Sequence, residues 1–484
     1  MPELPEVETV RRDLEPHLVG QRVERVQVFW PSIVQGVDIE AFRQRIEGRT
    51  FTEVGRRGKY LCLALDDGQT LLLHLRMTGR LFYQSQDYEK TSKHLRLFFA
   101  LADGGALYFE DARKFGVAAL KRAGETSPLS GFEKLGIEPL SEEFTPARLF
   151  PLLQKSRRPV KAFLLDQTKI AGIGNIYADE ALFRANIYPL QRAKDCSMDE
   201  VARLCEGIQQ VLNEAIEDGG TTFRDYVNGE GEKGNHQEHL YVYQREGQPC
   251  LACGTTIQKT TLIGRSTHFC PHCQLMHDPE IFVLGLTGGI ATGKSTMSRR
   301  LQSWGAYVID ADRLARDMSE PHQPIWEKYC EHYGEEILNP NKQINRKEIA
   351  SRLFGHPEEL DWVKKEIHPL LEQAMLAELA KAKAEGHKMF CIDAPLLFEA
   401  RWSRFVNRTW VMLLPIQLQV LRLTRRDRCS KEQALERINS QMRVQVRAAR
   451  ADLLVRNYGK RMEADFKTAE ETWAAWKKEV LERA

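Results

Sequence analysis

The stretch from Cys270 to Thr296, CPHCQLMHDPEIFVLGLTGGIATGKST, constrains the fold more than any other. Its first four residues complete the set Cys250-x2-Cys253-x16-Cys270-x2-Cys273. Two such pairs, with room for a β-hairpin between them, have the spacing of a tetrahedral zinc site. Four thiolates leave no open position, so the one zinc expected is structural. Fifteen residues after Cys273 begins Gly288-Gly289-Ile290-Ala291-Thr292-Gly293-Lys294-Ser295, a G-x4-GK[ST] loop. The apolar run 281–287 before it reads as a buried parallel strand, and 296–304 after it as a helix, the context a phosphate-binding loop requires. Backbone at Gly288, Ala291, Thr292, Gly293 and Thr296 would cradle ATP phosphates. Lys294 would bridge the β and γ oxygens, and Ser295 would bind Mg²⁺. Ala291 stands where a glycine would be free, and its Cβ is expected to hold φ negative. Two unrelated chemistries lie this close together, so the chain is either one enzyme or two joined at a seam.

Length favours two. A chain of 484 residues exceeds the roughly 250–300 at which single cores stop growing. Ten cysteines are too few for a disulfide scaffold, and the six outside the cluster read as reduced thiols. No apolar run approaches the ~20 residues of a membrane helix, and the acidic N-terminus lacks the apolar core of a signal peptide. A cytoplasmic chain is expected, with no membrane and no protein partner evident. Residues 1–280 hold 35 Lys and Arg against 39 Asp and Glu, whereas 281–484 hold 34 against 28. Nucleic-acid binding by the first part must therefore rest on local patches.

Segments 22–30, 60–67, 70–79, 94–104 and 105–123 are apolar, β-branched or aromatic and are punctuated by Asp-Gly turns. They predict an antiparallel β domain, sandwich or barrel-like. A helix precedes it, with Pro5 in the first turn and Val7, Val10 and Leu14 on one face. Arg56, Arg57 and Lys59 flank an apolar strand and read as a cationic patch. Removal of Met1 would leave Pro2 as a terminal secondary amine. Such a group titrates near ~7.7–8.0 and can attack an electrophilic carbon to form an iminium. Glu3, Glu6 and Glu8 around it also suit a plain helix start.

Several motifs together resemble bacterial formamidopyrimidine-DNA glycosylase, a repair family that excises oxidised purines such as 8-oxoguanine. They are MPELPEVETVRRDLEPHLVG, RRGKYL (56–61), HLRMTG (74–79), DARKFG (111–116), GIGNIYADE (172–180), GGTTFRDY (219–226) and the cysteine set, and they span residues 1–273. The resemblance implies a β-sandwich, a helix–two-turn–helix domain and a zinc-finger hairpin. It also implies that Pro2 is the nucleophile at the sugar C1′, Glu3 the general acid and Glu6 its electrostatic support. Lys59 would lie near the lesion phosphates, and Met77, Arg113 and Phe115 would fill the void left by the extruded base. Asn175 would hold a DNA phosphate, and Arg265 would reach the lesion and assist strand cleavage. The chain departs from the family at Ala112 and Lys114, for Pro and Arg, and at Ser92, for a His, although His94 remains. Lys114 can still meet a phosphate as a point charge. The implied partner is double-stranded DNA carrying oxidised purines or abasic sites.

Beyond 135 the pattern turns helical. Lys155, Arg157, Arg158 and Lys161 read as a basic cluster, and the Gly-rich turn 170–175 offers bare N–H groups to a phosphate. After the loop at 288–295, AYVIDADRLAR (306–316), KMFCIDAPLLFE (388–399) and RTWVMLLP (408–415) contain further strands. Asp310, Asp312 and Asp393 lie at strand ends, where an α/β sheet places its site. With RKEIASRLF, IHPLL, RRDRCSKEQALERI and ADLLVRNYG, these segments resemble dephospho-CoA kinase over 282–484. That family transfers phosphate from ATP to the ribose 3′-hydroxyl of dephospho-CoA. The resemblance implies that Asp312 is the base, Arg422 and Arg426 are lid arginines, Asn457 lies near the adenine and His368 near the CoA moiety.

The expected division is 1–135, a β-sandwich; 136–240, helix–two-turn–helix; 241–274, zinc finger; 275–280, linker; and 281–484, an α/β P-loop kinase with a parallel sheet and helical lid and CoA-binding insertions. The leading expectation is a glycosylase/lyase fused to a dephospho-CoA kinase. The alternatives are a damaged-DNA-binding module with weak catalysis joined to an active kinase, and a kinase for another hydroxyl acceptor.

Overall fold

The computed structural model describes residues 2–85, 92–222, 234–353 and 356–482. Phe223 to Tyr226 of the GGTTFRDY motif and Phe354 of RKEIASRLF lie outside them. The chain divides into two compact units, Met1–Lys194 with Arg203–Leu275 and Asp195–Ala202 with Met276–Ala484. No helix among the described residues is long and apolar enough to cross a membrane.

In the first unit, two sheets enclose one core. One sheet has the order Val23–Val28, Leu95–Leu101, Ala106–Asp111, Gly79–Gln84, all antiparallel. The other runs Val34–Gln35, Val117–Arg122, Gln69–His74, Tyr60–Leu65, Phe51–Arg57. Val26, Phe99 and Phe109 from the first face Leu63, Leu73 and Leu120 from the second, and the helix Leu4–Leu18 adds Val7, Val10 and Leu14 to the same core. The sandwich expected from the alternating segments is therefore present.

Two of the apolar segments are each divided into two strands, and the breaks position functional residues. Segment 70–79 crosses between sheets at Leu75–Thr78, where Arg76 has φ 56°. Segment 105–123 crosses at 112–116. Their flanking strands are neighbours in both sheets, so the two crossings lie side by side.

The helices Pro146–Gln154, Val160–Leu164, Asn175–Arg184 and Met198–Glu217 follow. The first is capped by the Thr145 hydroxyl, which accepts the Arg148 N–H. The hairpin Gln258–Leu262/Arg265–Phe269 turns on two residues, Ile263 (φ 44°) and Gly264 (φ 68°). Positive φ at both positions is the tight turn whose twist matches the strands.

The second unit is built on a wholly parallel five-stranded sheet: Tyr307–Asp310, Met389–Asp393, Phe282–Gly288, Arg408–Leu413, Leu453–Arg456. The first strand in sequence is central. Helix Met462–Glu482 covers one face through Phe466, Trp473 and Val480, and helix His368–Ala384 covers the other through Leu371 and Met375. Parallel sheets need both faces buried, which is why these strands read as unbroken apolar runs.

Candidate active sites

Around the chain start, Leu4 N–H donates to the Gly172 carbonyl at 3.0 Å, joining the first helix to the Gly-rich turn. Gly172 has φ 87°, and a Cβ there would lie 2.6 Å from Leu4 Cδ1. Gly174 is equally tight, because a Cβ would meet Glu3 Cδ at 2.2 Å. Both glycines are what lets the turn close on residues 3 and 4.

Glu3 is buried at 3% exposure, with Oε1 accepting the Ile176 N–H at 3.1 Å and Oε2 the Tyr177 N–H at 3.4 Å. A carboxylate on the first N–H groups of a helix is stabilised by the helix dipole. The sequence expectation of bare N–H groups for a phosphate is corrected at Gly172, and the N–H groups just after the turn are also taken. Those of Ile176 and Tyr177 belong to Glu3, and that of Gly172 to Gln167 Oε1 at 2.9 Å. Glu3 N–H donates to Glu6 Oε2 at 2.7 Å, and Glu6 Oε1 accepts from Tyr177 Oη at 2.5 Å and Thr221 N–H at 2.8 Å. Burial, followed by the nearby Glu3 charge, raises the Glu6 pKa. Tyr177, Thr221 and Gln167 escaped the sequence reading, although Tyr177 and Thr221 lie inside motifs singled out there.

Pro2 is buried beside this network. Lys59 Nζ donates to the Ile173 carbonyl at 3.1 Å, and burial lowers its pKa against the pull of Glu3 and Glu6. It lines a cavity of roughly 520 Å³ with Tyr60, His74, Arg76 and Gln167. Arg56 and Arg57 do not extend a free cationic patch. Arg56 pairs with Glu8 at 2.9 Å and Glu138 at 3.0 Å, and Arg57 with Glu138 at 2.8 Å.

The two sheet crossings bring Met77, Arg113 and Phe115 together. Arg113 Nη1 is 3.4 Å from Met77 Sδ, and its guanidinium lies 4.8 Å from the Phe115 ring centroid. Met77 and Phe115 remain 40% and 48% exposed, although their residue types would place them in a core. Buried Asp111 ties the loop, accepting the N–H groups of Arg113, Phe115 and Gly116 and the Thr78 hydroxyl. Lys114, at φ 60°, places its ammonium 4.0 Å over the Trp30 ring. The His94 carbonyl accepts Asp111 N–H, and Ser92 Oγ accepts His94 N–H.

Lys155 and Arg157 are exposed, and Arg158 pairs with Asp166. Lys161 is not part of that cluster. It is fully buried against Asp179 at 2.7 Å and donates to the Ser266 carbonyl and Thr267 hydroxyl in the hairpin. Asp179 also accepts the His268 N–H at 3.0 Å, and Asn175 Nδ2 donates to the Ser266 carbonyl at 3.0 Å. These bonds fix the strand that begins at exposed Arg265. The four cysteine sulfurs all lie within 4.8 Å of one another, with Cys253–Cys270 at 3.5 Å and Cys250–Cys273 at 3.9 Å. Tetrahedral Zn–S bonds of ~2.3 Å place sulfurs about 3.8 Å apart, so the set fits zinc.

In the second unit, the loop at 288–293 leaves the central strand and enters helix Lys294–Ser303. Ala291 adopts φ 62°, contrary to the negative φ expected from its Cβ. The loop's path overrides the local preference, at a cost of about 1–2 kcal/mol. A Cβ at Gly293 (φ 95°) would lie 2.1 Å from Asn457 Nδ2, which donates to the Thr292 carbonyl at 2.9 Å. Arg422 Nη1 donates to the Ala291 carbonyl at 3.2 Å. Arg422 and Asn457 thus converge on the loop, whereas Arg426 pairs with adjacent Asp427 at 2.7 Å. Thr292 Oγ1 donates to the Gly289 carbonyl, and Ser295 and Thr296 are exposed at the helix start.

Lys294 Nζ lies 3.5 Å from Asp393 Oδ1, and the Ser298 hydroxyl donates to Asp393 Oδ2. Burial raises the Asp393 pKa. Asp393 Oδ1 is buried with Lys294 as its ion-pair partner, a carboxylate donor that suits Mg²⁺ together with the Ser295 hydroxyl. Asp312, in the first turn of helix Ala311–Asp317, borders a cavity of roughly 1030 Å³. Desolvation, Asp310 and Asp393 raise its pKa, and Lys294 opposes them. Arg316, Asn345, Arg346 and Lys347 line the same cavity and were not singled out from the sequence. His368 stands at the start of its helix with its ring 5.8 Å from that of Trp402.

Comparison with known proteins gives these geometries a family. The first 274 or so residues align with the formamidopyrimidine-DNA glycosylase of Pelotomaculum thermopropionicum at 46% identity, covering 57% of this chain and 99% of the relative. The chain belongs to the formamidopyrimidine-DNA glycosylase family. The Geobacillus kaustophilus glycosylase is 48% identical, with 57% and 100% covered. A Lactococcus lactis Fpg in complex with DNA containing an abasic site superposes with a TM-score of 0.53 at 38% identity, covering 57% of this chain and all of that one. Family models match the glycosylase N-terminal domain at 1–118, its H2TH domain at 135–227 and the zinc finger found in FPG and IleRS at 247–275. The remainder matches a different family model, dephospho-CoA kinase, at 282–463. This glycosylase therefore carries a kinase-family domain after its zinc finger.

Proposed function

We propose that the chain is a bifunctional enzyme: a glycosylase and abasic-site lyase for oxidised purines in duplex DNA, and an ATP-dependent kinase for the 3′-hydroxyl of dephospho-CoA. The observation that carries the first activity is the buried Glu3–Glu6–Tyr177–Thr221 network around the chain start, with Lys59 beside it. Pro2, with its amine free, attacks the sugar C1′, and the base leaves as the iminium forms. Glu3 handles the proton that opens the sugar ring, and Glu6 steadies the terminus. Met77, Arg113 and Phe115 occupy the gap in the duplex, with His94, Lys114, Lys155, Arg157 and Asn175 on the backbone. Arg265 serves strand cleavage and Lys59 proton transfer near the lesion phosphates, and a zinc on the four cysteines would hold the hairpin that carries Arg265.

In the kinase the loop 288–296 holds the ATP phosphates, with Lys294, Arg422 and Asn457 around them. Mg²⁺, held by Ser295 and Asp393, would supply charge neutralisation. Asp312 orients the acceptor hydroxyl, and Arg316, Arg346 and Lys347 suit a polyanionic acceptor in the cavity at its side. His368 is assigned to the CoA moiety.

The test is borohydride trapping of the full chain on an 8-oxoguanine duplex, alongside phosphorylation of dephospho-CoA with ATP. A covalent adduct at Pro2 and formation of coenzyme A are expected. DNA binding without an adduct would leave only a damage-binding module. Phosphorylation of another hydroxyl acceptor in place of dephospho-CoA would reassign the kinase.

A further inference from the structure

A second cluster of metal-ligating side chains lies apart from the cysteine set. Asp218 follows the last turn of helix Met198–Glu217, its N–H donating to the Glu214 carbonyl at 3.0 Å. His236 and His239 begin and end a 3₁₀ turn, and residues three apart on such a turn project in the same direction. Both histidines aim Nδ1 at one carboxylate oxygen, Asp218 Oδ2, at 2.8 and 2.7 Å. The three ligand atoms all lie within 4.8 Å of one another.

The surroundings fix this arrangement before any ion arrives. Asn235 N–H donates to the Asp218 carbonyl and His236 N–H to the Gly220 carbonyl, both at 3.1 Å. The His236 side chain is 4% exposed, whereas Asp218 and His239 are 28% and 61% exposed. One ligand is thus anchored in the fold, and the other two face water that can complete a coordination shell. The cluster sits at a helix C-terminus, where the dipole favours a cation.

We propose that Asp218, His236 and His239 form a second metal site for a divalent transition ion of the zinc, cobalt or nickel type. Two imidazole nitrogens and one carboxylate oxygen select such ions over calcium or magnesium, which prefer all-oxygen shells. The ion joins the end of the helix to the 3₁₀ turn, three residues before Thr221, whose N–H holds Glu6. It leaves open coordination positions, unlike the closed thiolate set.

The full chain, purified with zinc on its cysteines, is titrated with Co²⁺ and followed by visible absorption and metal analysis. The wild-type chain should take up one further equivalent with weak d–d bands and no thiolate charge-transfer band. His239→Ala and Asp218→Asn should keep the cysteine zinc and bind that equivalent about 100-fold more weakly or worse, since loss of even a supporting contact costs 10–100-fold. His239 is largely exposed, so its replacement leaves the fold intact, and retained zinc confirms this. No further equivalent in the wild type, or unchanged Co²⁺ binding in both variants, overturns the proposal.

Discussion

Single residues carry much of the strain and much of the chemistry. Ala291 holds a left-handed backbone that glycine would adopt freely. Ala291→Gly should therefore stabilise the kinase unit by about 1 kcal/mol, seen as a higher midpoint of its unfolding transition. Gly172→Ala should act in the opposite sense, because the new Cβ would meet Leu4 within 2.6 Å at a φ of 87°. Loss of adduct formation with unchanged kinase activity is the expected result. His74 offers a pH test. Burial, then Arg76 and Lys59, lowers its pKa to about 3, and its Nδ1 accepts the Arg76 N–H at 2.9 Å, so the folded ring is neutral. The unfolded ring protonates near ~6.5. Stability is thus complete above that pH and declines as pH falls from there towards 3. His74→Gln, which lacks a titrating group, should flatten the decline of the glycosylase unit's unfolding free energy between pH ~6.5 and ~4.

At the scale of elements, the sequence was legible where spacing encodes chemistry and opaque where topology decides. The cysteine pairs predicted the hairpin, and the strand–loop–helix pattern predicted the phosphate loop. Segments 70–79 and 105–123 could not be divided from their apolar content alone, since both halves of each are buried strands in different sheets. That division makes Met77 and Phe115 exposed loop residues and not core, which only the motif resemblance anticipated. Lys161 looked like one more surface cation because charge in a sequence carries no sign of burial. It is balanced by Asp179 beneath the hairpin. Lys161→Met would leave buried Asp179 without its cation, with only His268 as partner, which costs about 3–5 kcal/mol. Chemical denaturation should show that loss in the glycosylase unit. Chelation of the hairpin zinc should release the strand bearing Arg265, abolishing strand cleavage while coenzyme A formation continues. Equal loss of both activities would argue against two separate sites.

At the scale of the whole chain, the stretch that first looked like one composite site separates into two families. Glycosylase models end at 275 and the kinase model begins at 282. Each unit has its own core, its own loop of close-packed glycines and its own buried carboxylates. On the function proposed above, one chain carries two independent activities. The most direct measurement blocks the Pro2 amine by placing two residues, Gly-Ser, ahead of it, and assays both reactions on one preparation of the full chain. An amide nitrogen is not a nucleophile. No borohydride-trapped DNA adduct and an unchanged rate of dephospho-CoA phosphorylation are expected. An adduct that persists on the blocked chain would overturn the role of Pro2, and a kinase rate that falls with it would overturn the independence of the two sites.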